Sequence, residues 1–212
     1  MDVNVWSKVK VAVQTLLGAP KPITAISKAN PAVASSTAHG FTDGAYVLLK
    51  LVGMSQINYR VVRVDNADTD DFELEGIDST AFDDFVSGTA ELITFGAQAS
   101  TLQSFSPTGG EAAGLLVDTI HTDQDYEIPG NRTPQVIASN SLWVPTDPAL
   151  LAMKGFDDIK TPGCVLVTFA TGAKVAFAAF MSCNISPQGD AGQVVTTSVG
   201  MRLRGLMTNY AS

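Results

Sequence analysis

The stretch that most constrains this chain is its C-terminal run, residues 163–206. Residues 164–170 read C-V-L-V-T-F-A and residues 174–183 read K-V-A-F-A-A-F-M-S-C, joined by Thr171, Gly172 and Ala173. Two β-branched and aromatic runs around a short glycine-containing link predict an antiparallel hairpin. A loop over residues 184–192 carries Pro187, Gly189 and Gly192. Residues 193–206 then alternate. Val195, Thr197, Val199, Met201 and Leu203 share one face; Val194, Thr196, Ser198, Gly200, Arg202 and Arg204 share the other. Period-two alternation sets one face on a core and the other on water or a partner. A long strand with a polar, basic-ended face is a natural wall for an assembly.

Composition supports a β fold. Only 16% of residues are charged, and 18 glycines and ten prolines favour a turn-rich all-β chain over a helical bundle. A length of 212 residues fits one large domain or a domain plus a module. The net charge of −8 is uneven: residues 22–92 hold four Lys/Arg against eleven Asp/Glu, which leaves −1 for the rest. An acidic middle on a nearly neutral body suggests two units with different surroundings, and it argues against a groove that grips nucleic acid through phosphates. Met1-Asp2-Val3-Asn4 lacks the basic start and apolar stretch of a signal peptide. No apolar run approaches the roughly 20 residues of a membrane helix. Cys164 and Cys183 fall on the two arms of the hairpin; in a chain made in the cytoplasm they stay thiols, as small buried strand residues.

In chain order, residues 3–17 alternate imperfectly, and residues 8–17 read as a strand ended by Gly18-Ala19-Pro20-Lys21-Pro22. Residues 22–92 read as an inserted small β-barrel module. Strands are expected at 24–27, 32–35, 46–51, 58–65, 71–74 and 89–94, with turns at His39-Gly40, Asp43-Gly44, Gly53, Asp65-Asn66, Gly76 and Ser87-Gly88. Residues 1–21 and 93–212 then form a β-sandwich or barrel body. In it, 99–114 and 123–134 are polar loops, and 115–122 and 135–144 are strands. One flanking helix is expected over 145–157. Thr146 or Asp147 caps it, Pro148 opens it, Leu150, Leu151 and Met153 form its apolar face, and Gly155, Pro162 and Gly163 stop it.

The chemistry-bearing residues form no recognisable site. His39 and His121 neighbour neither cysteine, so a Cys/His nucleophile needs the fold to unite them. There is no Cys-x-x-Cys and no zinc-finger spacing. Ser106-Pro107-Thr108-Gly109-Gly110-Glu111 has no Lys after its glycines, unlike a phosphate loop. The acidic run at 65–71 lacks the central Gly and closing Glu of a calcium loop and reads as a solvated turn. Asp118, Asp123, Asp125 and Glu127 admit a glycosidase-like pair, but a solvated loop is the plainer reading. No catalytic residue, cofactor or metal is expected.

Three stretches carry a resemblance. Residues 38–44 (A-H-G-F-T-D-G), 53–58 (G-M-S-Q-I-N), 72–80 (F-E-L-E-G-I-D-S-T) and 85–89 (F-V-S-G-T) look like a small β module that recurs in tail proteins of double-stranded DNA phages. D-T-I-H-T-D with Y-E-I-P-G-N, at 118–123 and 126–131, resembles the central segment of major tail, or tail-tube, proteins of long-tailed phages. The hairpin at 164–183 with the closing strand to Arg204-Gly205-Leu206 is similar to that family's C-terminal half.

The resemblance implies a structural virion protein whose hexameric rings stack into a tube that conducts the genome. Its implied partners are further copies of itself and the tape measure, tail-tip and terminator proteins. Phage DNA would pass through without specific binding, and no membrane insertion is expected. Interface positions on wall strands and stacking loops are then Lys10, Val13, Ser106, Thr108, Tyr126, Ile128, Arg132, Val195, Val199, Met201, Arg202 and Arg204. Lumens of such tubes tend to be acidic, yet most of this chain's charge lies in the module, so Lys8, Lys10, Arg202 or Arg204 must be paired or face away. The alternatives are a tail-tip or terminator protein, or a host-binding decoration using Tyr46, Tyr59 and Phe82. An enzyme using His121 or Cys164 is the remaining class.

Overall fold

The computed structural model describes residues 5–121 and 123–211. Val3 in the N-terminal alternation and Thr122 at the end of an expected strand lie outside the described residues. The chain opens with β1 (Lys10–Leu17), β2 (Lys21–Ile23), β3 (Ala25–Ile26), β4 (Ala32–Ser35), β5 (Tyr46–Val52), β6 (Val61–Asp65) and β7 (Asp71–Leu74). β8 (Ser87–Ala99) is followed by β9 (Ser106–Thr108), β10 (Ala112–Val117), β11 (Tyr126–Arg132) and β12 (Val136–Leu142). Helix α1 (Pro148–Ile159) precedes β13 (Pro162–Thr168), β14 (Lys174–Ser182), β15 (Thr196–Leu203) and β16 (Thr208–Tyr210).

One antiparallel sheet runs β3-β4-β7-β6-β5-β8-β1-β13-β14-β15-β12-β9, with β2 attached to β8 and β16 to β14. β10 and β11 form a separate two-stranded ribbon. The fold is mainly β with one flanking α-helix, as expected. The C-terminal hairpin pairs Cys164 with Ala178 and Val167 with Val175. The boundary expected at residues 92 and 93 lies inside β8, which pairs with β5 of the module at one end and β1 of the body at the other.

Three cores follow from strand alternation. Val47, Leu49 and Leu51 of β5 point into the module core with Phe72, Leu74 and Met54. Their neighbours Tyr46 and Leu48 point the other way, into a middle core with Val61, Ile93, Cys164, Ala176, Ala178 and Tyr210. The opposite face of β13 and β14 presents Val165, Val167, Phe177 and Ala179 to a third core, which Leu150 and Met153 of α1 cover. Strands buried on both faces cannot alternate cleanly, which is why Val11, Ala12, Val13 and Gln14 of β1 are all buried.

The middle core also ties module to body. Thr208 Oγ1 donates to Val61 O at 2.7 Å, Arg60 Nε donates to Thr208 Oγ1 at 2.9 Å, and Arg63 N donates to the Tyr210 hydroxyl at 2.6 Å. Arg63 also pairs with Glu75 and lies 4.7 Å over the Tyr210 ring.

Asp147 caps α1. Its Oδ1 accepts from Ala149 N and Leu150 N, and its Oδ2 accepts from Ser100 N, Ser100 Oγ and Thr101 Oγ1. Gly155 does not stop the helix, because an exposed interior glycine weakens a helix without breaking its hydrogen bonds. It ends instead at Lys160, in the left-handed conformation with φ 53°.

Candidate assembly surfaces

The expected polar loop at 123–134 is largely the strand β11, and the neighbouring strand spans Ala112–Val117 rather than 115–122. Among the described residues each pairs only with the other, Leu115 opposite Ile128 and Val117 opposite Tyr126. These four side chains share one face of the ribbon. Leu115, Tyr126 and Ile128 are 53%, 55% and 44% exposed, and none of the four belongs to any of the three cores. The other face carries Leu116 and Glu127 in register, and Asp118 and Asp125 lie just beyond the two strands. A two-stranded ribbon is marginally stable alone in water. One with an uncovered apolar face is built to be covered.

A second surface is the outer face of β12 and β15, where Ala138 pairs with Gly200 and Asn140 with Ser198. Ser182 of β14 lies beside Gly200 on the same face. Neither strand contains a carboxylate, and Arg202 is their one charged residue. β9 lies at the end of the sheet, leaving one backbone edge open; such an edge invites pairing with another chain.

The expected interface residues divide between these surfaces and the interior. Tyr126, Ile128 and Arg132 are on the ribbon, and Arg132 Nη1 reaches Gly110 O at 3.4 Å. Ser106 and Thr108 are exposed on β9, Lys10 is exposed at the start of β1, and Arg202 is exposed on β15. Arg204 lies 3.8 Å over the Tyr59 ring and 5.3 Å from that of Phe180, so its charge is turned toward the module. Val195 is exposed in the loop before β15, because the strand begins at Thr196, where Gln188 pairs with it.

Val13, Val199 and Met201 are different: all three are buried in the body's own core. Their side chains face the interior of the subunit, since the apolar face of a sheet is covered first by its own helix and sheet. Sequence reasoning missed Leu115 and Val117. Their signal was present, as residues 115 and 117 alternate in phase with 126 and 128, but Pro129 and Gly130 masked the second strand.

The chemistry-bearing side chains stay apart. Burial pushes the Cys164 thiol up to about 12, so it holds no thiolate near neutrality. Cys183 belongs to a different core, and burial raises its thiol too. His39 is buried in the module, where its Nδ1 accepts from Phe41 N at 2.9 Å and its ring meets Phe41 and Phe72. Acidic side chains at 65–71 hold local backbone: Asp70 accepts from Ala38 N and Asp68 from Thr69 N. Among the described residues no cluster of three or more His, Cys, Asp or Glu side chains stands as a set of metal ligands. No helix among them is long and apolar enough to cross a membrane.

No curated protein matches the chain at a significant level. The family model described as phage tail tube protein matches residues 52–212. The match begins at the end of β5 and takes in the ribbon, α1 and every strand of the C-terminal sheet. With the unpartnered ribbon and the open sheet edge already in place, this chain belongs to the phage tail tube protein family, a structural component of the virion tail.

Proposed function

We propose that six copies close into a ring and that rings stack into the tube through which the genome is delivered. The observation that carries this reading is the uncovered apolar face of the β10–β11 ribbon in a chain of this family. The open edge of β9 joins neighbours within a ring, with Ser106, Thr108 and Arg132 nearby, and the ribbon reaches across to the adjacent ring. The outer face of β12 and β15 lines the lumen with Ala138, Asn140, Ser198 and Gly200. These small uncharged groups offer a DNA backbone no counter-charge, and Arg202, exposed on the same face, is the one cation beside them. Residues 1–21 and 93–212 build the tube, and residues 22–92 ride on it as a module held by the middle core. Tape measure, tail-tip and terminator proteins complete the tail.

Negative-stain electron microscopy across a concentration series tests this. The expected result is rings or hollow tubes with six-fold end views and a mass of six chains per ring. A chain that stays monomeric at every concentration, and also when tail-tip complex is added as initiator, would refute tube formation.

A further inference from the structure

We propose that the apolar face of the β10–β11 ribbon seats in a groove beneath Trp6 on a second copy of this chain. The inference rests on the stacking reading above and names the receptor for the ribbon. The groove has a volume of about 490 Å³ and lies between the N-terminal segment and the chain that leaves β8. Its apolar lining includes Trp6, Val9, Val11, Leu102 and Phe105. The Trp6 ring leans on Phe105 and Phe169, with centroids 5.6 and 5.4 Å away, and yet remains 61% exposed. An indole fixed by two rings and still open to solvent is the kind of anchor that concentrates binding energy when a partner closes over it.

Two complementarities select the ribbon as the occupant. The first is apolar: Leu115, Val117, Tyr126 and Ile128 form one continuous face that none of the three cores takes in. The second is electrostatic. The groove is lined by Lys8, and Lys10 is exposed just beyond it. Among the described residues the groove lining has no carboxylate, whereas the ribbon and its tip carry Asp118, Asp123, Asp125 and Glu127. With the apolar face seated, Glu127 is turned away from the groove, and Asp118, Asp123 and Asp125 at the ribbon's tip are the carboxylates left to meet the lysines. Opposed charges of this kind fix register and partner choice more than they add affinity.

Cysteine pairs and intrinsic fluorescence test the contact in assembled tubes. Cys164 and Cys183 are buried, so an engineered surface thiol reacts alone under mild oxidation. A chain carrying both Gln103→Cys and Ile128→Cys is expected to give a ladder of disulfide-linked oligomers on tube formation, and each single variant at most a dimer. In an otherwise native chain, Trp143→Phe leaves Trp6 as the one indole. Its emission should shift to the blue, and its quenching by acrylamide should fall several-fold as tubes form. Tubes that form with Trp6 still fully quenchable would overturn the groove assignment while leaving the tube reading intact. Tubes that form with the cysteine pair but yield no ladder would overturn it equally. Protection of Trp6 in rings that never stack would show a different occupant, and the proposal would fall. Loss of tubes in the unmodified chain would instead refute the stacking reading on which it rests.

Discussion

Replacing Leu115 and Ile128 together by serine removes one cross-strand pair from the ribbon's apolar face and nothing from the three cores. Fully burying a leucine or isoleucine side chain is worth about 1.5–3 kcal/mol. These two side chains are 53% and 44% exposed in the subunit, so roughly half of that gain, about 1 kcal/mol each, is left for assembly. If the ribbon makes the stacking joint proposed above, the double variant weakens each joint by about 2 kcal/mol. At 1.4 kcal/mol per tenfold, the critical concentration for tube growth should rise about 30-fold per subunit added. The measurement is pelleting of tubes grown from preformed seeds across a dilution series, paired with urea unfolding of the free subunit. Unfolding should shift by no more than about 2 kcal/mol, the half of each side chain's burial already made within the subunit. A critical concentration that moves less than about threefold, in a subunit that still folds, would refute the claim that this face drives stacking.

Asp147→Ala should destabilise the subunit by about 3 kcal/mol, combining a lost helix cap with the buried Thr101 hydroxyl left without its charged acceptor; urea midpoints measure it. Burial pushes the Asp147 carboxyl up, but hydrogen bonds from Ser100, Leu150 and Thr101 outweigh it and hold the group below its usual range. Its stabilisation is therefore complete above the unfolded value, near pH 4, and is lost as pH falls through the lower folded value, so the native chain's advantage over Asp147→Asn should shrink in acid. Met201→Asp buries an unpaired charge and should cost at least about 4 kcal/mol, unfolding the subunit. Arg202→Asp, one position along on the exposed face, should leave near-ultraviolet circular dichroism unchanged. Tyr210→Phe strips the acceptor from Arg63 N and should cost about 1–3 kcal/mol, with faster hydrogen exchange at that amide.

Much of this fold was legible where local and tertiary preferences agree. The hairpin of β13 and β14 could be read because β-branched runs flank a short glycine-containing link. Helix α1 could be read because Asp147, Pro148 and the Leu150–Met153 spacing all mark the same start and face. Most turns of the module could be read because Gly40, Gly44, Gly53, Gly76 and Asn66 take positive φ there. β11 was illegible because Y-E-I-P-G-N-R has poor strand propensity and is held by pairing with β10. The start of β8 was hidden by Ser87-Gly88, which read as a turn, whereas Gly88 lets β5 approach closely. The interface was only half visible for a related reason. Alternation separates two faces of a strand without saying which neighbour covers the apolar one. Val199 and Met201 met their own helix and sheet, while Tyr126 and Ile128 met only the facing strand of the ribbon and stay about half exposed.

The middle core joins Tyr46, in the first quarter of the sequence, to Tyr210, two residues from its end. During synthesis the module can therefore assemble its own interior early, but the seam between module and body stays open until the ribosome has released the last strand. Contacts of such long sequence separation form late and slowly. A chain cut before β16 lacks Thr208 and Tyr210 and cannot shut that seam. In a wall built from many copies, a subunit whose seam is still open would offer its neighbours an unfinished surface.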